Sequence, residues 1–205
     1  MTSARSNGCF AAFLALAVLS ISAQNLCADS VQEAQRLLDE KGNQLLDNDL
    51  KVIGEATELT DLDLSHCGRI SDKGLAHLTG LTKLRTMSLM GCRRITADGL
   101  AQLRSLKSLE SLSLERIGPA LKGLPHLKEL PNLRSLDVSD NNTFRGEGLE
   151  DITQLTSLNA ACIRGAFNDK SLSRLSGLTK LEHLTLNGCD QITDRGLPHL
   201  ESLRI

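Results

Sequence analysis

Tryptophan and tyrosine are absent from the 205 residues, and phenylalanine occurs only four times. Readers of single-stranded nucleic acid stack bases on aromatic rings, so that class is excluded. A dominant charge is missing as well: 23 Lys and Arg stand against 25 Asp and Glu, a net charge of −2. The basic footprint of a nucleic-acid binder is therefore absent. An acidic or basic disordered chain is excluded too, because 40 % of the residues are hydrophobic and can bury a core. What is abundant is leucine, 41 residues, a fifth of the chain. A core of leucine without rings points to a regular, repeated layer in a protein of one domain or two.

The first residues read as an address. Met1 to Gly8 carries Arg5 and no acid, and an apolar run from Cys9 ends near Ile21. About a dozen apolar residues followed by small ones match a secretory signal and fall short of the ~20 that a spanning helix needs. Cleavage is expected after Ala23, or as late as Ala28, giving a signal over 1–23. An uncleaved membrane anchor is the alternative, and the only route by which a membrane enters. The expectation is export, to periplasm or medium.

Six consecutive units follow: 56–80, 81–105, 106–129, 130–154, 155–177 and 178–202, with residues 203–205 starting a seventh. Unit two reads LTKLRTMSLMGCRRITADGLAQLRS and unit six LTKLEHLTLNGCDQITDRGLPHLES. Self-similarity at this period signals a solenoid. In unit one, Leu62 and Leu64 alternate as a strand requires, and Leu75 and Leu78 lie on one helical face. Leu100/Leu103, Leu124/Leu127, Leu149/Ile152, Leu172/Leu175 and Leu197/Leu200 repeat that helical pair. Ser71 or Asp72 suits the helix start. One unit cannot bury its apolar face, whereas stacked units share a continuous core.

The pattern Leu-x-x-Leu-x-x-Leu-x-Leu-x-x-Cys-x-x-Ile-Thr-Asp-x-Gly-Leu resembles the cysteine-containing subtype of the leucine-rich repeat family, over 56–205 and in half form over 45–55. The resemblance implies a curved right-handed α/β solenoid with a parallel concave sheet and short outer helices. It implies protein binding, and says little about the partner. The subtype is best known from substrate receptors of ubiquitin ligases, whose F-box module has no counterpart in these residues. Exported bacterial proteins carry the same repeat.

Residues 29–55 are expected to form an amino-terminal cap with the half repeat. Ser30 and Glu33 suit a capping box, Val31, Ala34, Leu37 and Leu38 make an apolar stripe, and Gly42 is a stop. A free-standing partner helix is the alternative.

Candidate chemistry is sparse. Cys67, Cys92 and Cys189 share one unit position, aligned with Ile117, Asn141 and Ala166, which marks a slot turned into the core. Buried structural thiols are the expectation. Stacked strands lie about 5 Å apart, so a Cys67–Cys92 disulfide is chemically possible in an exported chain. Cys162 falls on an outward strand position. His77, His126 and His199 recur before the second helical leucine, so they belong to the repeat and not to a metal site. Asp137 and Asp140 flank one turn, too few oxygens for calcium. Asn141 opens a glycosylation sequon, yet its inward slot favours bonds to backbone. No nucleophile elbow or phosphate loop occurs. No enzyme activity, metal or cofactor is expected.

The strand positions between the leucines must face away from the core. One column reads Asp61, Thr86, Ser111, Ser135, Ala160, His183; the next Asp63, Ser88, Ser113, Asp137, Cys162, Thr185; a third Ser65, Met90, Glu115, Ser139, Arg164, Asn187. With His66, Arg116 and Asp140 beside them, these columns form the expected docking face for an unknown protein or peptide. Self-association of an envelope module and a ubiquitin-ligase receptor fragment are the competing readings.

Overall fold

The computed structural model describes residues 28–159 and 167–203. The signal segment, and with it the cleavage question, lies outside them, as do Cys162, Arg164 and Ala166.

Six three-residue strands form one parallel sheet in chain order: β1 Asp61–Asp63, β2 Thr86–Ser88, β3 Ser111–Ser113, β4 Ser135–Asp137, β5 Ser157–Asn159 and β6 His183–Thr185. Each strand sends its central residue inward, Leu62, Met87, Leu112, Leu136, Leu158 and Leu184 standing in register. Between strands the chain crosses the outside as a short helix or 3-10 segment. The result is a curved α/β solenoid of leucine-rich coils.

The helices are α1 (28–41), α2 Asp47–Gly54, α3 Asp72–Ala76, α4 Ala97–Gln102 and α5 Asp169–Ser173. Coil three crosses instead as a 3-10 segment, Gly118–Glu129, in whose interior Pro125 lacks the N–H donor that an α-helix needs. Helix α1 lays Ala34 fully buried on the core, with Val31, Leu37 and Leu38 partly covered. It ends at Gly42, whose φ of +48° supplies the left-handed stop. Ser30 does not cap this helix, which is already helical at residue 28. Helix α2 buries Leu50 and Ile53.

Two expectations about the carboxyl half are corrected. Ser157 and Asn159, not Ala160 and Cys162, pair with Ser135 and Asp137. Ile152 and Leu155 thus take the places that Leu130 and Leu133 hold one coil earlier, and the short coil is the fourth. The Leu-x-x-Leu-x-x-Leu stretch repeats every three residues, so a slip of three keeps leucine on leucine. The second correction concerns Leu197. Its equivalents Leu75, Leu100, Leu124, Leu149 and Leu172 are at most 1 % exposed, but Leu197 is 49 % exposed, because no further coil covers it among the described residues.

The motif Thr-Asp-x-Gly acquires a mechanical meaning. Asp47, Asp72 and Asp169, each opening a helix, accept two bonds from a Ser or Thr one coil on, and Ser71 and Thr96 are also the caps of their helices. Ser71 donates its N–H and hydroxyl to Asp47 at 2.7 and 2.6 Å, Thr96 to Asp72 at 2.8 and 2.7 Å, and Thr193 to Asp169 at 2.7 Å for both. Glycine follows because the aspartate occupies the side-chain space: a Cβ on Gly99 would lie 2.2 Å from Asp72 Oδ1, and one on Gly74 or Gly196 would lie 2.6 Å from the corresponding carboxylate.

Candidate interaction surface

The first outward column is Asp61, Thr86, Ser111, Ser135, Ser157 and His183, and the second Asp63, Ser88, Ser113, Asp137, Asn159 and Thr185. Asp61, Asp63 and Thr86 towards one end and His183 and Thr185 at the other are exposed, whereas Ser88, Ser111, Ser113, Ser135, Asp137 and Ser157 are half-buried. Six strands at about 4.8 Å spacing give a face roughly 25 Å wide. It is polar, made of small side chains, and mildly acidic. Hydroxyls of Thr60 and Thr86 donate to Asp61 and hold its carboxyl below the usual range.

The second column also has a local task that sequence reasoning missed. Asp63 accepts the N–H of Ser65 at 2.9 Å, Ser88 that of Met90 at 3.4 Å, and Asp137 that of Ser139 at 2.8 Å. A short polar side chain bonded two residues on turns the chain out of its strand. In the third column Glu115 is half-buried and Asn187 exposed, but Ser139 is buried at 6 % exposure, its hydroxyl without a hydrogen-bond partner.

His66, Arg116 and Asp140 stand on the rim instead of the strand face. They occupy the turn after the strand with φ of 61°, 53° and 55°, the place that Gly91 and Gly188 fill in coils two and six at 71°. Arg116 donates to Asp140 of the next coil and lies 3.5 Å from Glu115, so these three charges largely satisfy one another.

The inward slot behaves as the residue types imply. Cys67, Cys92 and Cys189 are buried, and Cys67 and Cys92 are free thiols with no disulfide between them. The Cys92 thiol donates to the Leu64 carbonyl at 3.0 Å, and burial pushes it up to about 12; burial, aided by Asp63, pushes Cys67 up to about 11. Asn141 uses its amide fully. Its Nδ2 lies 2.9, 2.8 and 3.0 Å from the carbonyls of Leu114, Val138 and Ser139, and its Oδ1 accepts the N–H of Gly118 at 2.8 Å. The atom to which a glycan would attach is thus buried and engaged. Phe144 and Phe167 stack as neighbours in the slot of Ile70 and Ile95, ring centroids 6.5 Å apart.

His77, His126 and His199 are exposed on the outer side, and among the described residues no three His, Cys, Asp or Glu side chains are grouped to hold a metal. No described helix is long and apolar enough to cross a membrane.

Comparison with known proteins agrees with this architecture. The family described as Leucine Rich repeat matches residues 56–78, 129–152 and 177–197, so the chain carries leucine-rich repeats, a fold typical of protein–protein interaction. No curated protein sequence matches the chain. Among solved structures, it is similar to an internalin (inlF) of Listeria monocytogenes at 23 % identity and a TM-score of 0.49, covering 75 % of this chain and 48 % of that one. The Rad7 and Elc1 complex of yeast matches at 19 % identity and 0.48, over 95 % and 62 % of the two chains. An internalin C2 (inlC2) of Listeria monocytogenes matches at 22 % and 0.41, over 78 % and 83 %. The chain thus spans about half of the first of these proteins and under two thirds of the second.

Proposed function

We propose that the chain is a non-catalytic protein-binding module of an exported protein, and that a partner docks on the concave strand face. The observation that supports this reading most is the outward column from Asp61 to His183, an unbroken row of polar side chains on a rigid sheet, none of them buried. Without Tyr or Trp, which dominate binding hot spots, modest affinity is expected. The test changes Asp61, Asp63, Glu115 and Asp137 together to Lys and measures capture of partners by the exported protein. Loss of a captured partner supports the face as the contact. Retention of every partner at unchanged affinity refutes it.

Self-association is the second reading, and it has its own observation. Besides the exposed Leu197, coil six presents Asp194, which follows Thr193 as Asp72 follows Ser71, is exposed, and makes none of the ties that Asp72 makes among the described residues. An exposed leucine beside an exposed carboxylate suits contact with a second copy. Sedimentation over a hundredfold range of concentration decides: a monomer throughout ends this reading, whereas association abolished by Leu197→Lys supports it.

A further inference from the structure

Beside the acidic face runs a rim of opposite sign. Arg69, Arg93 and Arg94 are exposed in the turns that leave β1 and β2. Among the described residues none of the three pairs with a carboxylate, whereas Arg36, Arg85, Arg116 and Arg174 all do. The Arg94 guanidinium instead donates to the backbone carbonyl of Arg69 in the preceding coil at 3.4 Å. Stacked coils are about 5 Å apart, so these arginines form one short positive strip.

The strip borders a cleft of about 460 Å³ lined by Arg93, Arg116, Gly118, Asp140, Asn142 and Thr143. Here the backbone is unusual. The rim position is left-handed in every described coil that shows it, and glycine suits it at Gly91 and Gly188, but His66 and Arg116 hold it on either side of Gly91. Bulky residues kept in such a conformation cluster at functional sites. The His66 ring lies over Gly91, with Nδ1 2.9 Å from where a Cβ would be. Glycine at position 91 therefore leaves room for the His66 ring of the preceding coil.

We propose that this rim binds an acidic segment of a partner protein, with carboxylates seated against Arg69, Arg93 and Arg94. The planar fork of arginine matches a carboxylate with two parallel hydrogen bonds. A long nucleic acid fits poorly, because the strip is short, no Tyr or Trp is available for stacking, and Asp61 and Asp63 lie exposed on the adjoining face. The site is separate from the concave columns, so it stands or falls independently of them.

The experiment titrates the full chain into a fluorescein-labelled peptide of ten residues rich in Asp and Glu and follows anisotropy at low and at 300 mM salt. Arg93→Glu/Arg94→Glu is expected to weaken binding at least tenfold, with Arg69→Gln/Arg93→Gln weakening it less. Arg104→Glu/Lys180→Glu, the same change of charge on exposed residues elsewhere, is expected to change it less than twofold. Unchanged far-ultraviolet circular dichroism confirms that the variants are folded. Equal losses in the two double-Glu variants overturn the proposal, as does binding no tighter than that of a Gly-Ser peptide. Tighter binding of a single-stranded oligonucleotide than of the acidic peptide overturns the choice of partner.

Discussion

The boundary between coils one and two and the boundary between coils three and four solve one problem on opposite sides of the core. At the first, the helix side carries the directional bond, Asp72 to Thr96, while the inward slot beyond the strand holds only the weakly donating Cys92. At the second, Asn141 in that slot ties four backbone groups, and the helix side is a proline-containing 3-10 segment without the aspartate. Leucine burial supplies non-directional cohesion and does not choose a register. Each of these two boundaries adds one polar fixture that does, and the fixture can move from one side of the core to the other.

The largest expected effect is at the second boundary. Asn141→Leu leaves the Gly118 N–H and the Leu114 carbonyl buried without their partner, which is expected to cost on the order of 3 kcal/mol in urea denaturation. Asn141→Cys, the residue of coils one and two, is expected to cost less, because the thiol still reaches a carbonyl. Equal costs would dissolve the contrast between the two slots. At the first boundary, Gly99→Ala drives a methyl into Asp72 and is expected to cost about 2 kcal/mol, as overpacking does. Gly177 has nothing within 4 Å of its Cβ position and an ordinary φ. Gly177→Ala is therefore expected to stabilise by about 0.5 kcal/mol through the unfolded chain.

Asp72→Ala, which deletes the tie without crowding, is expected to cost about 1 kcal/mol, the usual scale of a lost helix cap. In the Gly99→Ala background it should cost almost nothing, since the tie is already broken there. Additive costs in that double-mutant cycle would separate the glycine from the aspartate. The smallest effect is the acid dependence of the last tie. The N–H and hydroxyl of Thr193 hold the Asp169 carboxyl below its ordinary value of 3.8. A carboxyl lowered by folding stabilises the fold above its unfolded value and loses that contribution as pH falls through the lowered one. The difference in stability between wild type and Asp169→Ala should be constant from neutral pH to about 5 and shrink as pH falls through 3.8 towards the lowered value. A difference that persists in stronger acid would assign Asp169 a role unrelated to its charge.

Much of this was legible in the residues. Leu62, Leu75 and Cys67, with their counterparts along the chain, named the strand, the helix and the inward slot, because alternation and helical spacing leave each side chain one side to occupy. The engagement of Asn141 with backbone also followed from its slot. Coil five was illegible because its leucines recur every three residues, so two alignments satisfied the same pattern until strand pairing chose Ser157. The rim position of His66, Arg116 and Asp140 was illegible because a sequence does not announce a left-handed turn occupied by residues other than glycine. The aspartate tie was missed because Asp72 and Thr96 are 24 residues apart and touch only across a coil boundary.

The sequence by itself therefore determined the repeat, the α/β solenoid class and the ring-free leucine core, since these depend on periodicities contained within one coil. Only the tertiary structure decided which residues meet between coils: the register of coil five, the aspartate ties, the pairing of Arg116 with Asp140, and the unpaired arginine strip. Those contacts join residues about one repeat apart, where small differences in loop length decide the neighbour, and no local pattern contains that information.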